Sequence, residues 1–114
     1  MNEPAQVPEV DATEAARLVD AGNALLLDVR EDDEWASGRA PRASHTVLGR
    51  LDPATVPRDR PVIAVCRSGA RSAQATHALL AAGVEARNLT GGMRAWAAAG
   101  LPVVGAHGGT GKII

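Results

Sequence analysis

The sequence predicts an α/β domain with a mostly parallel central sheet of about five strands, flanked by helices on both faces. Three observations carry the prediction. Apolar runs of strand length alternate with helical segments along the chain, the order that builds a parallel sheet under crossover helices. Two of those runs, Ala-Leu-Leu-Leu-Asp-Val at 24–29 and Pro-Val-Ile-Ala-Val-Cys at 61–66, lack polar alternation, as strands buried on both faces do. The helical segments stop at Gly22, Gly83 and Gly100, a residue type that accepts the left-handed turn at a helix end. A length of 114 residues suits one domain around one core.

Residues 1–6 read as a flexible N-terminus, 7–104 as the folded domain and 105–114 as a flexible, Gly-rich tail. Within the domain, residues 7–10 form a short first strand. Asp11 then caps a helix, accepting from the backbone near Glu14 while Glu14 reaches back. Ala15, Leu18 and Val19 give that helix an apolar side. The run 24–29 is the next strand. Residues 31–37, acidic at their start, form a short helix suited to its macrodipole. A turn at 38–42 leads to a short strand at 43–47, and residues 48–57 are irregular or form a single helical turn. The clearest strand, 61–65, ends at Cys66. After a loop of small residues come a helix at 72–82, a strand at 85–89 and a helix at 91–99 that Gly100 and Pro102 stop.

Composition excludes several function classes. Hydrophobic residues make up 46% and charged residues 22%, as in a globular protein that folds in water. There is no Phe and no Tyr, so the core must come from Leu, Val, Ile and Ala, with Trp35 and Trp96 as plugs. Such a surface offers no stacking platform for single-stranded nucleic acid. The net charge of -1 lacks the basic footprint of a nucleic-acid binder. No apolar run reaches the length of a membrane span. Met1-Asn2-Glu3-Pro4 lacks the features of a signal peptide, so a cytoplasmic location is expected. His45, His77 and His107 have no ligand spacing with one another or with Cys66, so no metal site is expected. The glycines at 108, 109 and 111 before Lys112 lack the preceding strand of a phosphate loop.

Cys66 is the only cysteine. It cannot form a disulfide within the chain, and no second thiol can resolve an adduct on it. Its position at the carboxyl end of a buried strand is where open α/β sheets bind ligands. An ordinary thiol, with a pKa near ~8.5, is only about 3% thiolate at neutral pH. The helix that follows points free N–H groups back into the loop, and Arg67 and Arg71 add positive charge. Gly69, with the small Ser68 and Ala70, lets successive amides turn inward as an anion nest. A downward shift of about two units, worth about 2.7 kcal/mol, makes thiolate the major form. Asp28, near the end of its own apolar strand, needs a partner, either loop amides or an arginine. Arg30 and Glu34 have the spacing of a structural ion pair.

Cys66-Arg67-Ser68-Gly69-Ala70-Arg71-Ser72, at the end of an apolar strand, resembles the active-site loop of rhodanese-family sulfurtransferases. Leu27-Asp28-Val29-Arg30 with Glu34-Trp35 and Gly38 resembles the family's early signature. Gly91-Gly92 with Trp96, then Gly100-Leu101-Pro102-Val103, resembles its closing segment. The likeness spans residues 7–104 in consistent order. It departs at Arg39 and Arg42, where the family often has His and Gly, which alters charge at a rim or partner surface.

The resemblance implies a rhodanese-like fold and a two-step transfer without metal or organic cofactor. Cys66 takes sulfane sulfur from a donor such as thiosulfate and passes it from a persulfide to cyanide or a thiol, including a protein thiol. It implies substrate binding by Arg67, Ser68, Gly69, Ala70 and Arg71, with Asp28, Arg30 and Ser72 supporting the site. Three alternatives stand beside it: a persulfide carrier in a protein relay, a non-catalytic interaction module, and a Cys-dependent phosphatase or arsenate reductase. Phosphatase loops place five residues between Cys and Arg, whereas four separate Cys66 from Arg71. The tighter loop suits sulfur better than a phosphoryl group.

Overall fold

Among the described residues, five parallel strands form one sheet in the order β1-β5-β4-β2-β3. The strands are β1 (Glu9–Val10), β2 (Leu25–Asp28), β3 (Ser44–His45), β4 (Val62–Val65) and β5 (Ala86–Leu89). The helices are α1 (Ala12–Asp20), α2 (Asp32–Ser37), α3 (Ala70–Ala81) and α4 (Gly92–Ala98). The structure is a computed structural model that describes residues 6–114; residues 1–5, most of the expected loose N-terminus, lie outside it. Every strand expected from the sequence is present, and among the described residues every strand pairing in the sheet is parallel. Two short 3-10 turns, Leu48–Arg50 and Pro53–Thr55, occupy the segment read as irregular.

The central strands explain the missing alternation. All four residues of β4 are buried, because side chains on both faces meet helices. Ile63 and Val65 point into a core shared with α1 and α4, through Ala15, Val19, Met93 and Trp96. Val62, Ala64 and Cys66 point the other way, toward Ala75 and Leu79 of α3. This period of two puts Cys66 on the α3 face. Asp11 caps α1 by accepting from Glu14 N–H at 2.8 Å. The Glu14 carboxylate does not reach back to close the expected box; it bonds Arg17 Nε at 2.8 Å.

Strand order positions the site. From β2 the chain moves outward to β3, and from β4 it moves the opposite way to β5. The carboxyl ends of β2 and β4 therefore flank the point where the winding reverses, the usual ligand crevice of such sheets. Leu27 and Asp28 lie in register with Ala64 and Val65, so Asp28 to Arg30 and Cys66 emerge side by side.

The segment after Val104, expected as a loose tail, follows a defined course. Val104 bridges both Arg39 and Thr110 in antiparallel fashion. Gly111 N–H donates to Val103 O at 3.0 Å and Lys112 N–H to Ser37 O at 2.9 Å. Ile113 packs on the α1/α4 core. Glycine composition serves close backbone contact here: a Cβ on Gly38 would collide with the Lys112 backbone. Among the described residues, no helix is long and apolar enough to cross a membrane.

Candidate active site

Cys66 sits one residue past β4, and its sulfur lies against the start of α3. Gly69 N–H donates to Sγ at 3.1 Å and Ser72 Oγ approaches it at 3.2 Å. The residue is only 1% exposed. Burial pushes the thiol up, but hydrogen bonds from the Ser72 hydroxyl and from the backbone N–H groups of Ser72, Gly69 and Ser68 outweigh it. The Cys66 thiol thus titrates below its ordinary value. Backbone N–H groups of the loop turn toward the sulfur, and Ser72, expected to support the site, does so by direct contact with Sγ.

The loop is clamped from the other side by α4. Met93 N–H donates to Cys66 O at 2.7 Å, and Arg94 N–H donates to Arg67 O at 3.0 Å. Two carbonyls at the start of the loop thereby satisfy helix N–H groups that would otherwise lack partners. The approach is so close that a Cβ on Gly92 would overlap the Cys66 carbonyl oxygen and the Arg67 backbone. The Gly91-Gly92 pair noted in the sequence is thus part of the loop's mounting.

Asp28 and Arg30, both 0% exposed, form a buried pair at the end of β2. Arg30 Nη2 lies 2.8 Å from Asp28 Oδ2, Arg30 Nε 3.0 Å from Oδ1, and Arg30 N–H also donates to Oδ1 at 3.0 Å. The same guanidinium donates to Gly38 O at 2.6 Å and to Glu34 O at 3.3 Å. This network joins β2, α2 and the following turn, and leaves neither charge without a partner.

The expected Arg30–Glu34 ion pair is absent; Arg30 reaches only the Glu34 backbone. Glu34's carboxylate instead takes Arg71, with Nη1–Oε1 at 2.7 Å and Nη2–Oε2 at 2.9 Å. The Arg71 guanidinium holds the Glu34 carboxyl down to about 2. Glu34 in turn raises Arg71, and Cys66 adds to that in the same direction. Arg67 is exposed, with Nε donating to Ile114 O at 3.0 Å. Ser68 and Ala70 are exposed at the loop's mouth, and Gly69 is half-buried.

The remaining residues noted in the sequence lie around this centre. Trp96 is a buried core plug, with Nε1 donating to Pro102 O at 2.7 Å. Trp35 is only half-buried and stacks on His45, with centroids 4.6 Å apart, while Arg39 lies over its ring at 4.6 Å. An indole on a six-residue helix at the sheet edge is covered by these two side chains instead of by the core. His45 Nε2 bonds Arg30 O at 2.7 Å. His77 and His107 are exposed. Arg42 pairs at the surface with Asp20 at 3.3 Å.

Asn88 was not singled out in the sequence. It is 3% exposed on β5, with Nδ2 donating to Gly69 O at 3.1 Å and Oδ1 lying 2.6 Å from Ser72 Oγ. The available signal was an amide inside a short buried strand, which requires a specific partner.

A cysteine whose thiol is held below its ordinary value, at the head of a loop that ends after four intervening residues at a fixed arginine, is a candidate sulfur nucleophile on a parallel α/β sheet. Residues 11–99 match the family model described as a rhodanese-like domain. A sulfurtransferase of Allochromatium vinosum is 41% identical over 108 residues, covering 90% of this chain and 99% of the relative. Thiosulfate sulfurtransferase GlpE of Actinobacillus succinogenes is 32% identical over 104 residues, covering 88% of this chain and 93% of the relative. A rhodanese-related protein from Thermoplasma volcanium superposes with a TM-score of 0.78 at 26% identity, covering 85% of this chain and 97% of the other. The chain belongs to the rhodanese-like family and is a sulfurtransferase of that family.

Proposed function

We propose that the protein moves sulfane sulfur from thiosulfate, or a closely related anionic donor, to a nucleophilic acceptor through a Cys66 persulfide. The observation that carries this reading is the sulfur of Cys66 held by Gly69 N–H and Ser72 in a loop of four intervening residues. The Cys66 thiolate attacks the outer sulfur of thiosulfate. A new S–S bond forms, the donor's S–S bond breaks, and its electron pair leaves with sulfite. No proton is consumed. Cyanide or a thiolate then attacks the outer persulfide sulfur and returns the Cys66 thiolate, giving ping-pong kinetics.

Each residue has a distinct part in this scheme. The exposed Arg67 and the amides of Ser68, Gly69 and Ala70 receive the donor anion and the leaving sulfite. Arg71, already engaged by Glu34, supplies fixed positive charge beside the sulfur. Asp28, Arg30 and Ser72 hold the surroundings in register. With no second cysteine in the chain, the acquired sulfur leaves on another molecule. The name of the Actinobacillus succinogenes relative supports thiosulfate as donor. The loop length opposes phosphoryl chemistry. The test sets thiocyanate formation from thiosulfate and cyanide against phosphate release from an aryl phosphate. Thiocyanate formation alone is expected; phosphate release alone would overturn the reading.

A further inference from the structure

Ser72 Oγ lies 3.2 Å from Cys66 Sγ, 3.2 Å from Gly69 O and 2.6 Å from Asn88 Oδ1. All three can accept, but a hydroxyl has one proton to give. Gly69 O is already served by Ala73 N–H at 3.0 Å and Asn88 Nδ2 at 3.1 Å, which fills its two lone pairs. The Asn88 amide orientation follows from the same contact, since a flipped amide would set Oδ1 against Gly69 O. Contention for the Ser72 proton is therefore between the sulfur and Asn88 Oδ1, and both Ser72 and Asn88 are shut away from water.

We propose that Asn88 is a positioning residue for sulfur transfer, holding the loop through Gly69 while competing with Cys66 for the single hydroxyl proton of Ser72. In the thiol form, S–H donates to Ser72 Oγ and the hydroxyl donates to Asn88, so every group is satisfied. In the thiolate form the hydroxyl turns to Sγ, and Asn88 Oδ1 gives up its donor. When the persulfide forms, negative charge moves to the outer sulfur, and the hydroxyl returns to Asn88. Ser72 thus changes partner once in each half-reaction. The competition keeps the thiolate from being over-stabilised, which matters because nucleophilicity falls as thiol pKa falls.

Other charged groups around the sulfur stay constant through this exchange. Arg71 faces Cys66 from α3 and is locked to Glu34 of α2. Asp28 and Arg30, after β2, are closed on each other. Arg67, on the loop, bonds Ile114 O, and Arg94 of α4 is exposed. Arg87 of β5 pairs with Glu85.

The proposal rests on Cys66 being the reacting sulfur, but its test uses no sulfur donor, so the two readings can fail separately. The pH dependence of Cys66 alkylation by iodoacetamide is measured in the wild-type chain, Ser72→Ala, Asn88→Ala and the double variant. Ser72→Ala should lower the thiol's ionisation constant in both backgrounds. The loss should be about fivefold larger with Asn88→Ala, where the hydroxyl belongs to the sulfur alone. An equal or smaller loss would overturn the proposal. If Asn88→Ala does not fold, the side-chain amide resonance of Asn88 is followed by NMR in the wild type and Ser72→Ala. It should shift at the Cys66 midpoint in the wild type and stay still in Ser72→Ala. A static resonance in the wild type, or a shift that survives Ser72→Ala, would contradict it.

Discussion

Arg71 and Glu34 meet in a two-pronged ion pair, 2.7 Å and 2.9 Å, that ties the base of the active-site loop to helix α2. The pair changes what Arg71 offers. Its fork is already filled by a carboxylate, which leaves it fixed charge beside Cys66 and a hold on the loop, but no free bidentate grip. The early acidic segment and the Cys66 loop, distant in sequence, are thereby one assembly.

Replacing this arginine should cost turnover. Arg71→Ala is expected to lower kcat/KM for thiosulfate by about tenfold or more, since both fixed charge and loop anchoring are lost. Arg39→Ala, which removes only a cation over the Trp35 ring, should stay within about twofold. Thiocyanate kinetics on the two variants measure this, and equal losses would contradict the role assigned to Arg71.

Acid stability should carry the signature of Glu34. Its folded pKa, about 2, lies below the ordinary 4.5. A depressed carboxyl contributes stability above its unfolded value and loses it as pH falls through the folded one. The pair's contribution should be complete near neutrality and fade between about pH 4.5 and 2. Urea midpoints of the wild type and Glu34→Gln should therefore differ at about pH 6 and converge toward about pH 2. A difference that stays constant over that range would show the pair to be misassigned.

The buried Asp28–Arg30 pair should be sensitive to the loss of one partner. Arg30→Met leaves a carboxylate in a site with no exposure, and a loss of about 3–5 kcal/mol is expected from urea unfolding. Arg42→Ala, at an exposed surface pair, should change stability by less than about 1 kcal/mol. Similar losses from both would contradict the closed network.

Gly92→Ala tests the mounting of the loop. The added Cβ would overlap the Cys66 carbonyl and the Arg67 backbone. It should destabilise the fold by about 1–3 kcal/mol and displace Cys66 from the nest. Alkylation of Cys66 should then move toward the pH dependence of an ordinary thiol. A variant with unchanged stability and reactivity would show that the contact is not needed.

Much of this was legible because local rules and tertiary structure agree. The apolar runs of β2 and β4 showed their burial on both faces, and the small residues after Cys66 showed the nest. The failures came where partners are remote. Arg30 and Glu34 have helical spacing, but α2 begins only at Asp32, so Arg30 curls back on Asp28. Glu34 finds its partner 37 residues away. Asn88 meets Ser72 only because β5 lies beside β4, an adjacency that strand order creates. The glycines after Val104 looked like looseness, yet they permit the chain to lie against Gly38.

The central claim is that Cys66 itself carries the transferred sulfur. Intact-protein mass spectrometry after incubation with thiosulfate tests it most directly. The wild-type chain should gain the mass of one sulfur atom and lose it on addition of cyanide, and Cys66→Ser should gain nothing. A wild type that gains no sulfur, or a Cys66→Ser variant that gains the same mass, would contradict the account.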